Sequence, residues 1–262
     1  MSILVLAYRL MTDFFSESLV SIFSQCKICS KRGAKSFFKN NCVCVNKNPV
    51  TDFKTVVNRL RDVITINGEV LKIPSHLYLM LNKPIDAVCS TVSDRHKTVF
   101  DFIPRDFSTD TKNNALKCGG RLDSDTTGLL LFSTNGAFLH NITSPKNKIP
   151  KTYRAILRDS VSASDQLFYK NAAAAGLIIP AQKKSPEQKC APADISFIND
   201  RECNITVTEG KFHEVRRIFL ALKNEVTSLK RIAIGGLILD ESLKEGECRL
   251  LSQEEAEKIF SN

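Results

Sequence analysis

Residues 120 to 136 read Gly-Arg-Leu-Asp-Ser-Asp-Thr-Thr-Gly-Leu-Leu-Leu-Phe-Ser-Thr-Asn-Gly. They set one cation, Arg121, and two carboxylates, Asp123 and Asp125, in a short polar loop. An ionised carboxylate held rigidly can act as a nucleophile or a general base. Gly120 and Gly128 bracket the loop and allow backbone angles that other residues resist. The apolar run Leu129 to Phe132 predicts a buried strand behind the loop, and Asn135-Gly136 predicts a turn that closes it. A loop braced by such a strand is a common way to fix a reactive acid. The same residues would equally make a structural loop in which Arg121 and an aspartate merely pair.

A second cluster lies at Glu209-Gly-Lys-Phe-His-Glu-Val-Arg-Arg-Ile-Phe-Leu-Ala-Leu222. Gly210 marks a turn, and from Glu214 the positions Val215, Ile218, Phe219 and Leu222 follow helical spacing. Lys211, His213, Arg216 and Arg217 crowd the start of that helix. Helix N-termini favour anions, and added cations increase the preference. The plainer alternative is a basic helix end balanced by nearby acids.

The whole chain is 262 residues long, enough for one large domain or two smaller ones. It carries 37 Lys+Arg against 28 Asp+Glu, a net charge of +9, which favours polyanions and most simply nucleic acid. Its nine Cys are an odd number spread over the whole length, which points to a reducing cytoplasm rather than a disulfide framework. No stretch reaches the roughly 20 apolar residues of a membrane span. The start, Met1-Ser-Ile-Leu-Val-Leu-Ala-Tyr, lacks the basic segment and cleavage site of a signal peptide, and Met11 is an alternative start.

From the N-terminus, residues 16 to 24 and 30 to 39 predict two short helices, the second capped by Ser30. On it Lys31, Arg32, Lys35 and Lys39 recur at helical spacings and can share a broad face, with Phe37 and Phe38 anchoring the other side. Cys42-Val-Cys-Val and residues 62 to 71, with an Asn67-Gly68 turn, predict small strands and hairpins. Two helices followed by small strands, one helix basic, outline a compact RNA-binding module; a solvated helix on any small domain is the alternative. Cys26-x-x-Cys29 and Cys42-x-Cys44 could be read as a zinc site. However, Cys42 and Cys44 alternate with valines as core residues of a strand would, and Cys26 and Cys29 fit a buried helix face. The chain is therefore read without a metal.

Residues 73 to 76 read as a linker. Beyond it the pattern predicts a strand at 77 to 84 and a turn-rich segment at 85 to 116. A polar basic connection at 140 to 150 follows, then a strand at 151 to 157 and a helix at 163 to 175. Next come a surface loop at 181 to 190, a hairpin from 193–197 and 202–207, a Gly-interrupted strand at 232 to 240 and a helix at 252 to 260.

In that order the pieces resemble the pseudouridine synthases that act on small-subunit (16S) ribosomal RNA. The resemblance rests on Gly120-Arg-Leu-Asp-Ser-Asp-Thr-Thr-Gly-Leu-Leu-Leu, the Leu-Asn-Lys-Pro strand at 81 to 84, and Lys151-Thr-Tyr153. It rests also on Glu209-Gly-Lys-Phe-His-Glu-Val-Arg-Arg-Ile-Phe219, and on the tail Ile234-Gly-Gly-Leu-Ile-Leu-Asp240 with Gly246-Glu-Cys-Arg-Leu-Leu251. It covers residues 76 to 262 strongly, while residues 16 to 72 look like the S4-type RNA-binding domain of these enzymes. Two departures stand out. Glu214 occupies a position where the family commonly has Gln, and the S4-like region lacks a common Arg-Leu-Asp opening.

The resemblance implies an α+β fold: a small N-terminal S4-like α/β domain at 16–72, after an extension at 1–15, joined through 73–76 to a catalytic domain at 77–262. That domain would carry a mixed, mainly antiparallel sheet flanked by helices. Asp123 would be the catalytic aspartate, Tyr153 would pack on the target uracil, and Arg216 would pair with Asp123. Arg121, Lys151, His213 and Arg217 would bind substrate, and Lys31, Arg32, Lys35 and Lys39 would bind RNA. Asp125 would be structural. The reaction is redox-neutral and implies no cofactor. The expected partner is ribosomal RNA or the pre-ribosomal small-subunit particle, with no membrane, and the chain is expected to be a cytoplasmic monomer. Two alternatives are the same reaction on large-subunit (23S) RNA and a non-catalytic ribosome-assembly binder.

Overall fold

The structure is a computed structural model that describes residues 16–59, 61–73, 75–107, 115–183 and 185–261. The expected extension at 1–15 and the two candidate starts lie outside these residues.

The N-terminal part opens with a short strand, β1 (Ser16–Ser18), that runs into helix α1 (Leu19–Gln25). The helix predicted from residue 16 thus starts three residues late, because Ser16 to Ser18 pair antiparallel with β4 (Val56–Asn58). Helix α2 spans Ala34–Asn40, not 30–39. Ser30 does not cap it; its hydroxyl accepts from the Gly33 N–H at 3.1 Å in the preceding turn, and Gly33 is the cap. Lys31 and Arg32 therefore sit in that turn, and only Lys35 and Lys39 ride on the helix. All four are exposed.

Strands β2 (Val43–Val45), β3 (Asn48–Pro49), β5 (Ile64–Ile66) and β6 (Glu69–Val70) form a small antiparallel sheet in the order β3-β2-β5-β6. Asn67 and Gly68 both have positive φ, as the β5–β6 hairpin requires. Leu19, Ile22, Phe23, Phe38, Val43, Val57 and Ile64 bury a core of their own, with the Phe23 and Phe38 rings stacked at 5.3 Å. The phase of β2 is the reverse of the expected one: Val43 is buried and Cys42 is exposed. Cys26 and Cys29 do pack against the core. Among the described residues no group of His, Cys, Asp and Glu is placed to hold a metal.

His76, the last residue of the expected linker, is more than a tether. The buried carboxylate of Glu17 meets His76 Nε2 at 2.5 Å and Arg59 Nη1 at 3.1 Å, while His76 Nδ1 lies 3.2 Å from Thr134 Oγ1. Burial opposes ionisation of Glu17, but His76 and Arg59 outweigh it and hold its pKa down at about 2. The two parts of the chain meet through this polar joint.

The rest of the chain builds around a nine-stranded sheet. It begins with β7 (Tyr78–Lys83), β8 (Lys117–Cys118) and β9 (Thr126–Ser133). Helix α3 (Gly136–Thr143) follows directly. The predicted Asn135-Gly136 turn is instead a helix start, because the Asn135 side chain accepts from the Phe138 N–H at 3.0 Å. The connection expected at 140–150 is correspondingly helical up to Thr143. Strand β10 (Lys151–Leu157) and helix α4 (Ala163–Ala175) match their predicted ranges. A short pair, β11 (Ile178–Ile179) with β12 (Gln188–Lys189), trims the expected surface loop. The hairpin is β13 (Asp194–Phe197) with β14 (Glu202–Val207). Helix α5 (Glu214–Ala221) buries Val215, Ile218 and Phe219 as its spacing requires. Strands β15 (Val226–Ile234), β16 (Leu237–Ile238) and β17 (Cys248–Leu250) and helix α6 (Gln253–Lys258) complete the chain. The Gly-interrupted strand read at 232–240 is in fact the tail of the long β15, a turn at Gly235-Gly236, and β16.

The sheet order is β13-β14-β10-β15-β9-β7-β17, with β16 on β15 and β8 on β9. Every pair in it is antiparallel except β15 with β9. The fold is thus mixed α/β with a mainly antiparallel sheet. The parallel pair sits at its middle, where Arg231 lies opposite both Gly128 and Tyr153. A register shift at Thr152/Tyr153 locally twists β10 just there.

Candidate active site

The acidic loop lies between β8 and β9 and is held at both ends. Leu122 is its anchor, 7% exposed in the apolar cluster with Leu81, Leu130 and Phe132. Its N–H donates to Cys89 Sγ at 3.3 Å, and Cys118 Sγ–H donates to the Gly120 carbonyl at 2.9 Å. The far side is clamped by Lys83, which is fully buried and donates to the carbonyls of Pro84, Ser124 and Thr126 at 3.0, 3.2 and 2.9 Å. Burial holds its ammonium below the usual lysine range. Gly128 has φ +99°, and a Cβ there would run into the Arg231 backbone, so only glycine permits the close β9–β15 approach.

Asp123 projects from this loop with its side chain 39% exposed, its Oδ1 3.5 Å from His213 Nε2. His213 stands at the N-cap of α5 with φ +49° and stacks on Phe212 at 3.8 Å. Asp123, Arg121, Tyr153, Lys211, His213, Glu214 and Arg216 all line one cavity of about 400 Å³. On the other side of Tyr153 a second cavity of about 320 Å³ is lined by Arg121, Tyr153, Lys151, Glu209 and Arg231, among others. Tyr153 and Arg121 belong to both.

Two expectations need correction. Arg216 lines the cavity but does not pair with Asp123. Its Nη2 meets Asp125 Oδ2 at 2.9 Å and its Nη1 donates to the Val226 carbonyl at 2.8 Å. Asp125, read as merely structural, is thus the partner of the cavity arginine. The chain places Asp125 two residues past Asp123, beyond the turn in which Thr126 N–H donates to the Asp123 carbonyl, and that turn aims it at α5. Arg217, expected to bind substrate, lines neither cavity. It is fully buried, with Nε on Pro180 O at 2.8 Å, Nη1 on Ser185 Oγ at 3.0 Å and Phe212 O at 3.2 Å, and Nη2 on Pro186 O at 2.6 Å. On a helix, successive residues point about 100° apart, and here that step carries Arg217 off the cavity wall and into the core.

Beneath the cavity lies an acid pair. Glu214 is 6% exposed and accepts from the Lys211 backbone N–H at 3.2 Å. Glu209 accepts from the Ala191 N–H at 2.7 Å and pairs with Lys211 Nζ. Burial, then the hydrogen bond and charge of Glu209, push Glu214 up to about 8. Burial works on Glu209 too, but hydrogen bonds from Glu214, Lys211 and Ala191 hold it below the usual carboxylate range. The two acids share one proton, and a protonated Glu214 presents a neutral donor, as an amide would.

The unfolded chain releases the Glu214 proton near pH 4.5, the folded one near pH 8. Between those values the folded state binds more protons at this site, so the contribution of Glu214 to stability falls as pH rises and levels off above about 8. Glu214→Gln is expected to flatten that slope: relative to wild type the variant gains stability from pH 5 to pH 8. Urea midpoints at the two pH values check this, and parallel wild-type and variant slopes would contradict it.

Lys83, Cys89, Cys118, Glu209 and Arg231 were not picked out by sequence reasoning. Lys83 did carry a signal, as a cation that ends the apolar run Tyr78 to Leu81 and must find buried partners there. Cys89 and Cys118 act across a gap of 29 residues that no local pattern spans.

Residues 77–221 match the RNA pseudouridylate synthase family. The chain is 40% identical over 199 residues to the ribosomal small subunit pseudouridine synthase A of Haemophilus influenzae, covering 76% of this chain and 80% of that protein. It is 34% identical over 227 residues to an uncharacterized RNA pseudouridine synthase of Bacillus subtilis, covering 86% and 91%. A solved pseudouridylate synthase structure superposes with a TM-score of 0.61 at 34% identity, covering 93% of this chain and 99% of that one. The matched region contains the acidic loop, Tyr153 and the basic helix, and the chain belongs to the RNA pseudouridylate synthase family of isomerases.

Proposed function

We propose that this enzyme isomerises one uridine of small-subunit ribosomal RNA, with the Asp123 carboxylate as the catalytic nucleophile or base. The observation that carries the reading is the convergence of Asp123, Tyr153, His213 and Arg216 on one cavity. The small-subunit specificity is supported by the relatives named for that substrate.

In this reaction the N1–C1′ bond breaks, the uracil turns, C5 bonds to C1′, and C5 gives up its proton while N1 takes one up. Asp123 supplies the carboxylate for the sugar–base junction, with the His213 imidazole beside it. The Tyr153 ring offers an aromatic face that holds the detached uracil without fixing one in-plane orientation, so the base can turn. Arg216, fastened to Asp125 and Val226, contributes positive charge at the cavity wall. The uridine must leave its stack, which costs a few kcal/mol that phosphate contacts offset. Among the described residues no helix is long and apolar enough to cross a membrane.

The test is site-level mapping of pseudouridine in both ribosomal RNAs, with and without the protein. Loss of signal at one small-subunit position is expected. Loss confined to large-subunit RNA would move the substrate, and unchanged maps would reject the reading.

Residues 16–72 are proposed as an S4-like RNA-binding domain, with the exposed Lys31, Arg32, Lys35 and Lys39 as its contact surface. Changing Lys31, Lys35 and Lys39 together to Ala is expected to weaken RNA binding and lower the salt slope by about one unit per lost phosphate contact. Unchanged affinity and slope in a salt titration would remove the role.

A further inference from the structure

We propose that the cavity between Arg121, Lys151 and Arg231 is a phosphate subsite, which takes the phosphodiester next to the uridine held against Tyr153. This rests on the proposed reaction for the identity of its ligand. Its geometry is independent of that reaction.

The cavity adjoins the catalytic one and shares Tyr153, Arg121 and Gly210 with it. Its wall concentrates positive charge in a buried place. Arg231 is 2% exposed; its Nε donates to the Leu129 carbonyl at 2.8 Å, and among the described residues its Nη2 has no hydrogen-bond partner. Lys151 donates to the Ile149 carbonyl at 3.0 Å. Neither cation forms a salt bridge among the described residues. Burial first, and the Arg231 charge second, push Lys151 down to about 8, with Glu214 acting weakly the other way. Buried cations of this kind are normally paired with acids.

The acid on this wall is Glu209, whose carboxylate is already engaged by Lys211 and the Ala191 N–H. The C-terminal turn of α3, at Ile142 and Thr143, also faces the cavity. A helix C-terminus carries only about half a negative charge, which does not cancel three cations. The cavity therefore favours a compact anion, and phosphate is the anion that every nucleotide brings. Arg121, exposed at the rim, and Lys151, half-buried, are placed to touch it, while Arg231 behind them supplies charge.

Binding of an anion raises the Lys151 pKa, so near pH 8, where the amine is about half protonated, the complex takes up a fraction of a proton, up to about one half. The experiment is calorimetric titration of the full protein with uridine and with uridine monophosphate at pH 8, in two buffers of different ionisation enthalpy. Uridine monophosphate is expected to bind roughly tenfold tighter or more, the scale of one charge-assisted hydrogen bond. Its apparent enthalpy should change with buffer, reporting proton uptake, while that of uridine should not.

Lys151→Met is expected to abolish both the preference and the uptake, and Arg231→Gln to weaken the preference. Proton uptake in the wild type needs no variant and stands if Arg231→Gln fails to fold. Equal affinity for the two ligands, no heat from the monophosphate, or a preference that survives Lys151→Met would overturn the subsite. A protein that forms pseudouridine yet binds the two ligands equally keeps the reaction and loses the subsite. One that forms none yet shows the preference does the reverse.

Discussion

Replacing Asp123 with Asn is expected to lower pseudouridine formation by roughly 10³-fold or more, while RNA affinity and unfolding midpoint stay near wild type. The amide keeps the size and shape of the side chain but cannot act as an anionic nucleophile or accept a proton. Nothing structural hangs on the charge. The carboxylate is 39% exposed, and the basic side chain beside it is the His213 imidazole, 3.5 Å away. Substitutions at such partly exposed positions usually change stability by no more than about 0.5 kcal/mol. The loop itself is held by its backbone, through Cys89, Cys118 and Lys83, all of which the substitution leaves alone. Single-turnover assays on ribosomal RNA, read by site-level mapping beside a filter-binding titration, separate the two effects. A variant that still modifies its site at a comparable rate would remove Asp123 from the chemistry, and one that loses binding and activity together would make it a binding residue.

Arg217→Met is expected to destabilise the fold by about 3–5 kcal/mol, the range for breaking a buried charged hydrogen-bond network. The guanidinium is fully buried and joins α5 to the segment at 180–186 through the carbonyls of Pro180 and Pro186 and the Ser185 hydroxyl. Methionine fills similar volume but leaves those acceptors, and Phe212 O, without a donor, each at about 1–3 kcal/mol before relaxation. Arg217→Lys restores the charge with fewer, differently directed donors and is expected to recover only part of the loss. Urea denaturation gives the comparison, with a lowered midpoint at unchanged slope as the expected form. If Arg217 were a substrate contact instead, the midpoint would hold and RNA binding would fall.

These two residues mark how much of the site could be read along the chain. Local signals carried the acidic loop, the strand behind it, α4 and the β13–β14 hairpin, because periodicity and turn residues act over a few positions. The same signals put β2 in the wrong phase, where Cys42 and Cys44 alternate with valines but it is Val43 and Val45 that pack on the core. They also read Asn135-Gly136 as a turn. An Asn before a Gly serves a hairpin and a helix cap alike, and only the packing of the next residues, Phe138 and Leu139, into the core selects the helix.

By itself the sequence determined which groups can do chemistry. An aspartate in a glycine-bracketed loop, an aromatic on a strand and a basic helix start were all legible, together with the family pattern that orders them. Tertiary structure alone decided which of these groups face one another. It gave Arg216 to Asp125 rather than Asp123, turned Arg217 into the core, and set Lys151, Arg231 and Tyr153 on neighbouring strands. The physical reason is that side-chain type is a property of one residue. Partnership depends on register between β10, β15 and β9 and on the rotation of α5, which are fixed by burial of the whole apolar set.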